Sequence, residues 1–183
     1  IITLAGFEAQ KLAAGTLMVS PYIPLLFMGE EYGERAPFLY FVSHGDPELV
    51  EAVRNGRRNE FSSFGWDEVP PDPQSEATFT ASKTDRKTIC IAEHSAMYAY
   101  YRELILIRKK LQPLKNLTRK HLSVETDADG KILILKRRYG KSEILAIMNY
   151  SSEDSAYTAG GNALQYTKVI DSADPRWNGP GIS

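Results

Sequence analysis

Two adjacent carboxylates, Glu30 and Glu31, followed by Tyr32 and bracketed by Gly29 and Gly33, are the residues whose types and spacing best suit chemistry in this chain. A pair of carboxyls can divide the work of proton donor and base, or of proton donor and nucleophile. Adjacency argues against that division. Neighbours on an extended chain point to opposite faces and do not converge on one substrate atom without a bend. Residue type therefore makes Glu30, Glu31 and Tyr32 candidates for holding a ligand, not for transforming it. The same residues equally suit a solvated strand exit in which the two glycines shape a loop.

What must position them is the run before them. Ile23 and, past Pro24, Leu25-Leu26-Phe27-Met28 form a short stretch apolar on both faces, the pattern of a strand buried in a parallel sheet. Pro21 and Pro24 stand at its start, where a missing N–H costs least. Its polar residues gather at the C-terminal end, where ligands bind in α/β folds. Residues 3–19 before it read as a helix. Glu8, Lys11 and Gly15 share a polar face, and Ala9, Leu12, Ala13, Thr16 and Leu17 form the opposite, apolar face. Pro21 ends that helix by pushing Ser20 out of helical backbone.

Residues 34–92 carry no clear period. Asp46-Pro47-Glu48 is a helix start, with Asp as N-cap and Pro in the first turn, opening a helix over about 47–61 contacted through Leu49, Val50 and Val53. Asp46 is read as a cap and His44 as a loop histidine. Phe61, Phe64 and Trp66 could line a cleft or anchor the loop. The stretch Ser75–Lys87 is polar and expected to be exposed. A second helix follows over 95–112, with Ser95 as candidate cap, Met97, Tyr100, Tyr101, Leu104, Ile107 and Leu111 as one buried stripe, and Pro113 beyond its end. The period then changes. His121–Thr126, Lys131–Arg138 and Glu143–Tyr150 read as antiparallel strands joined by hairpins, with further strands expected at 154–159 and 166–171 and a turn-rich tail after them.

Bulk properties exclude more than they assign. A net charge of −1 gives no footprint for nucleic acid or an acidic membrane, and the basic runs at Arg54–Arg58 and Arg108–Lys120 suit solvated helix faces. One cysteine, Cys90, excludes an intramolecular disulfide and a CxxC metal site, and the three histidines are scattered. No apolar run approaches a membrane span, and no signal-peptide pattern opens the chain, so a cytoplasmic protein is expected.

The wording of the motifs goes further. Pro24-Leu25-Leu26-Phe27-Met28-Gly29-Glu30-Glu31-Tyr32-Gly33-Glu34, then Ala36-Pro37-Phe38-Leu39-Tyr40-Phe41, His44-Gly45-Asp46-Pro47-Glu48-Leu49, Gly65-Trp66 and Phe79-Thr80-Ala81-Ser82-Lys83, resemble in order the region around the eighth barrel strand of the α-amylase superfamily of glycoside hydrolases. The likeness is specific over residues 4–112 and weaker to about 180. It implies an α+β piece: helix 7, strand 8, a long insertion and helix 8 of a (β/α)8 barrel over 1–113, then an antiparallel β-sandwich over 114–183. Within the superfamily it is closest to the branch that releases trehalose from maltooligosyl trehalose by retaining cleavage of the adjacent α-1,4 bond. It also implies that the nucleophile, the acid and the stabilising aspartate, on strands 4, 5 and 7, fall before Ile1, so that no catalytic residue is expected in this chain and the isolated chain is expected to be inactive. Glu30, Glu31 and Tyr32, and after them Phe38 and Tyr40 as secondary candidates, are the expected contacts to a maltooligosaccharide-type substrate. No metal or cofactor is implied. Other readings of the chain are a non-catalytic glucan-binding module, a structural domain that buttresses a barrel, and, disfavoured by its charge, a nucleic-acid binder. A strand cut from its barrel neighbours would expose open edges, so the first half alone is expected either to self-associate or to be poorly ordered.

Overall fold

A computed structural model describes residues 2–65, 69–157 and 166–181. They fall into two units. One comprises the residues up to Glu34 together with those from Lys87 onward; the other is Arg35–Arg86.

The first unit is built on a helix pair. The helix expected over 3–19 is broken at Gly6, whose φ of 84° leaves α1 (Ile2–Ala5) and α2 (Phe7–Val19) on either side. Ser20 takes extended backbone ahead of Pro21, as expected. The buried face of α2 is not the expected one. Gln10, Lys11, Ala14 and Met18 are buried, whereas Ala9 and Ala13 are exposed. The reversal turns on Lys11, which is wholly buried. Its Nζ donates to the carbonyls of Ser172 at 2.7 Å and Trp177 at 3.1 Å and lies 2.8 Å from the Glu8 carboxylate. A cation compensated in this way can occupy a core position that hydropathy assigns to solvent.

Facing α2 is α5 (Ala92–Lys110), whose Met97, Tyr100, Tyr101 and Leu104 are buried as the spacing predicts, with Ile107 half-buried. It starts before Ser95. The N-cap is Ile91, which makes no side-chain cap, so Ser95 lies inside the helix and does not cap it. Pro113 stands in the first turn of a short α6 (Gln112–Lys115), where its missing N–H has no helical partner to lose. The tail is more than turns. A 3-10 turn, Pro175–Trp177, is capped by Asp174 and buries Trp177 edge-on against Tyr100 at 5.6 Å between ring centroids. Ala14, Met18, Met97, Tyr100, Tyr101, Leu104 and Trp177 form one core cluster.

The three central strands form as read: β1 (Leu122–Thr126), β2 (Ile132–Tyr139) and β3 (Ser142–Asn149), in one antiparallel sheet of that order. Leu122 pairs with Arg137 and Tyr139 with Ser142. The expected further strands do not form: 154–157 and 166–171 have no regular structure, and 158 and 159 lie outside the described residues. The described residues thus hold a single three-stranded sheet where a sandwich was expected.

The expected buried strand Ile23–Met28 is also corrected. Residues 23–27 carry no regular structure and join no sheet, and Ile23 and Leu25 are 79% and 88% exposed. The apolar run is that of a strand, but a strand also needs a neighbouring strand for its ladder of N–H and C=O groups, and no described strand pairs with this one.

The second unit contains α3 (Pro47–Ser63), started by Asp46, whose Oδ1 accepts from the amides of Glu48 at 2.9 Å and Leu49 at 3.4 Å. Val50 and Val53 are half-buried and Leu49 is exposed. The stretch Ser75–Lys87, expected to be exposed, is buried at two positions: Ser75 caps α4 (Glu76–Ala81), and Thr78 and Ser82 are buried. Trp66 lies outside the described residues.

Candidate functional site

The carboxylate pair sits in a tight corner of the first unit. Gly29 and Gly33 both take left-handed backbone, at φ 85° and 70°, around a single 3-10 turn, Glu30–Tyr32. The positive φ favours glycine at Gly33, and a Cβ there would also have to displace the end of the Ile2 side chain, 2.7 Å away at Cδ1. The amide of Glu34 donates to Gly29 O at 2.9 Å and closes the corner.

Three side chains from α2 and α5 hold it. Gln10 Nε2 donates to Glu30 O at 2.5 Å, His94 Nδ1 lies 2.6 Å from Tyr32 O, and the Tyr101 hydroxyl donates to Glu30 Oε1 at 3.2 Å. The other Glu30 oxygen accepts from the Phe27 amide at 2.9 Å. Burial, and secondarily the Glu30 charge beside it, raise the pKa of the Tyr101 phenol, which stays a donor. Glu30 is thereby committed to the corner, and Tyr32 is buried with its hydroxyl on Glu34 Oε2 at 3.1 Å. Glu31, half-buried, makes no side-chain hydrogen bond among the described residues. Glu30 and Glu31 therefore do not act as a converging pair.

Gln10, His94 and Tyr101 were not singled out from sequence for this role. A signal existed: His94 and Tyr101 are seven residues apart, two helical turns on one face. The approach to the corner is fixed by two guanidiniums. Arg108 donates to the carbonyls of Met18, Ser20 and Tyr22, and Arg137 to those of Val19, Ser20 and Asn116. Both face the C-terminal end of α2, where its carbonyls lack helical partners. Burial lowers the pKa of each, and for Arg137 the neighbouring Arg108 adds to the effect.

Phe38 and Tyr40 belong to the second unit. There Phe38 stacks edge-on with Phe41 at 6.1 Å, and Phe41 with Phe79 at 5.1 Å. The Arg57 guanidinium lies 5.0 Å from the Tyr40 ring centroid and 5.2 Å from that of Phe61. Phe38 is 58% exposed and Tyr40 47%. Arg54 forks onto Asp72 at 2.9 and 2.8 Å and lowers the pKa of that carboxyl. Among the described residues no group of three or more His, Cys, Asp or Glu side chains is placed to hold a metal ion, and no helix is long and apolar enough to cross a membrane.

No family model matches the chain. Curated relatives do. A malto-oligosyltrehalose trehalohydrolase of Rhizobium sp. is 38% identical over 159 residues, 86% of this chain and 26% of the relative. Proteins of the same name from Arthrobacter ramosus and Saccharolobus solfataricus are 45% and 43% identical over 58% and 60% of the chain. A solved structure assigned as an alpha amylase from Salmonella typhimurium superposes with a TM-score of 0.73 at 36% identity, covering 88% of this chain and 28% of that one. The chain thus spans about a quarter of the length of the Rhizobium relative. The likeness carried by the motif series from Pro24 to Lys83 is confirmed at that level, and the chain belongs with the malto-oligosyltrehalose trehalohydrolases in the α-amylase family of glycoside hydrolases.

Proposed function

We propose that this chain is the C-terminal part of a cytoplasmic, retaining glycoside hydrolase that releases trehalose from maltooligosyl trehalose by cleaving the adjacent α-1,4-glucosidic bond, a step in trehalose biosynthesis. The observation that carries the reading is the shared name of relatives that align with most of the chain at 38% and 33% identity. In this reading residues 1–113 complete a (β/α)8 barrel and 114–183 form the β domain behind it. The segment Ile23–Met28 is a barrel strand whose neighbours belong to the rest of the protein, consistent with its exposed apolar side chains.

The chain supplies a wall of the substrate site and not its catalysts. Glu30 is held by Tyr101 and the Phe27 amide, so it shapes the corner that carries Glu31. Glu31 is the carboxylate left to accept a sugar hydroxyl, with Tyr32 as its buried support. In the second unit, taken by itself, Phe38 and Tyr40 expose rings on which a pyranose face can stack. The test compares the isolated chain with the whole reading frame that contains it, each given maltooligosyl trehalose. Trehalose release by the whole protein and none by the chain is expected; release by the chain at a comparable rate would overturn the division of labour.

A further inference from the structure

The sheet register gathers His121, Ser123, Lys136, Arg138 and Glu143 on one face. Ser123 pairs with Lys136, Arg138 with Glu143, and the Arg138 amide donates to His121 O, so the five stand as cross-strand neighbours. They line an open depression of about 270 Å³. Its polar groups are interlocked. Arg138 Nε and Nη2 donate to Glu143 Oε2 at 2.9 and 2.6 Å, and the Tyr166 hydroxyl donates to Glu143 Oε1 at 2.5 Å. Lys136 Nζ and Ser123 Oγ both donate to Glu125 Oε1, each at 3.2 Å.

We propose that this depression binds glucose units of a maltooligosaccharide. Charge selects the class of ligand. Arg138 is neutralised by Glu143 and Lys136 by Glu125, so an anion would have to compete with two carboxylates already in place. A neutral polyol need not, because each hydroxyl both donates and accepts and can join the donors and carboxylate oxygens without displacing them. Tyr166, 40% exposed, is tied by its hydroxyl to Glu143 and so helps to hold that carboxylate at the polar rim. The choice of glucose over another polyol rests on the function proposed above.

The test titrates the 183-residue chain with maltotriose, and separately with inorganic phosphate, while backbone amide resonances are followed by NMR. Maltotriose is expected to shift the amides of β1, β2 and Glu143 saturably. Glu143→Gln and Tyr166→Ala should each weaken this about fivefold, the scale of one lost hydrogen bond or contact. Tyr166→Phe keeps the ring if Tyr166→Ala fails to fold. Arg54→Ala in the other unit should leave the shifts unchanged. Phosphate shifting these amides while maltotriose does not, or maltotriose shifting only amides outside this sheet, would overturn the proposal. Such a failure leaves trehalose release by the whole protein as a separate question. Absence of that release with saturable maltotriose shifts here would remove the function and keep the site.

Discussion

Of the stretches that carry the residue pattern of strands, two make the clearest contrast, one at the centre of a sheet and one in none. Ile132–Tyr139 lies between β1 and β3, with a partner on each side and Ile132, Ile134 and Leu135 buried. Ile23–Met28 is at least as apolar and has no strand partner among the described residues, and Ile23, Leu25, Phe27 and Met28 are exposed while Leu26 packs on the core. Hydrophobicity selects residues for a strand, but the ladder of backbone hydrogen bonds makes one. That ladder must come from sequence near at hand, as in the hairpins here, or from elsewhere in the protein.

The sharpest way to break this contrast is in the core of the sheet. Ile134→Ala is expected to cost about 2–4 kcal/mol in urea unfolding followed by far-ultraviolet circular dichroism, since Ile134 is 5% exposed. Gly33→Ala should cost about 1–3 kcal/mol in the same measurement, because a left-handed residue is replaced where a Cβ meets Ile2. Leu25→Ala, by comparison, should change stability by less than about 0.5 kcal/mol, the range of exposed positions. A cost comparable to that at Ile134 would mean that the segment is covered in solution, by self-association or otherwise. Amide exchange would show the same contrast, with β2 protected and residues 23–26 open.

The smallest expected effect concerns pH. The Tyr166 hydroxyl, and then Arg138, hold the Glu143 carboxyl below its ordinary pKa range. Its ionised form therefore stabilises the fold. That contribution is fully present above the unfolded-state pKa and is lost as pH falls through the folded one. Glu143→Gln should flatten the acid limb of a stability–pH curve slightly, since solvent screens this pair. An unchanged acid limb would remove Glu143 as a contributor.

How much was legible follows the same division. The hairpins were readable because period, turn glycines and partners lie within thirty residues of one another, with Gly130 and Gly140 in left-handed backbone at the turns. The stripe of α5 was readable because four buried side chains repeat at helical spacing. The face of α2 was not, because the partners that make Lys11 a core residue are carbonyls 161 and 166 positions away. Ser95 looked like a cap because residue type alone cannot show that the helix begins a turn earlier. Of the candidate corner, Glu30 to Tyr32 were found and their supports were missed, because nothing local to Gln10, His94 or Tyr101 announces a distant backbone group as a partner.

The contact between Lys11 and the Ser172–Trp177 tail also sets an order of events. On the ribosome the second helix emerges among the first residues of this stretch, and the groups that satisfy its buried ammonium emerge among the last. Until then that face has neither Trp177 to pack against nor carbonyls to receive its donor. Nascent chains stalled before residue 172 should therefore keep Lys11 open to amine-reactive labels, and the finished chain should close it.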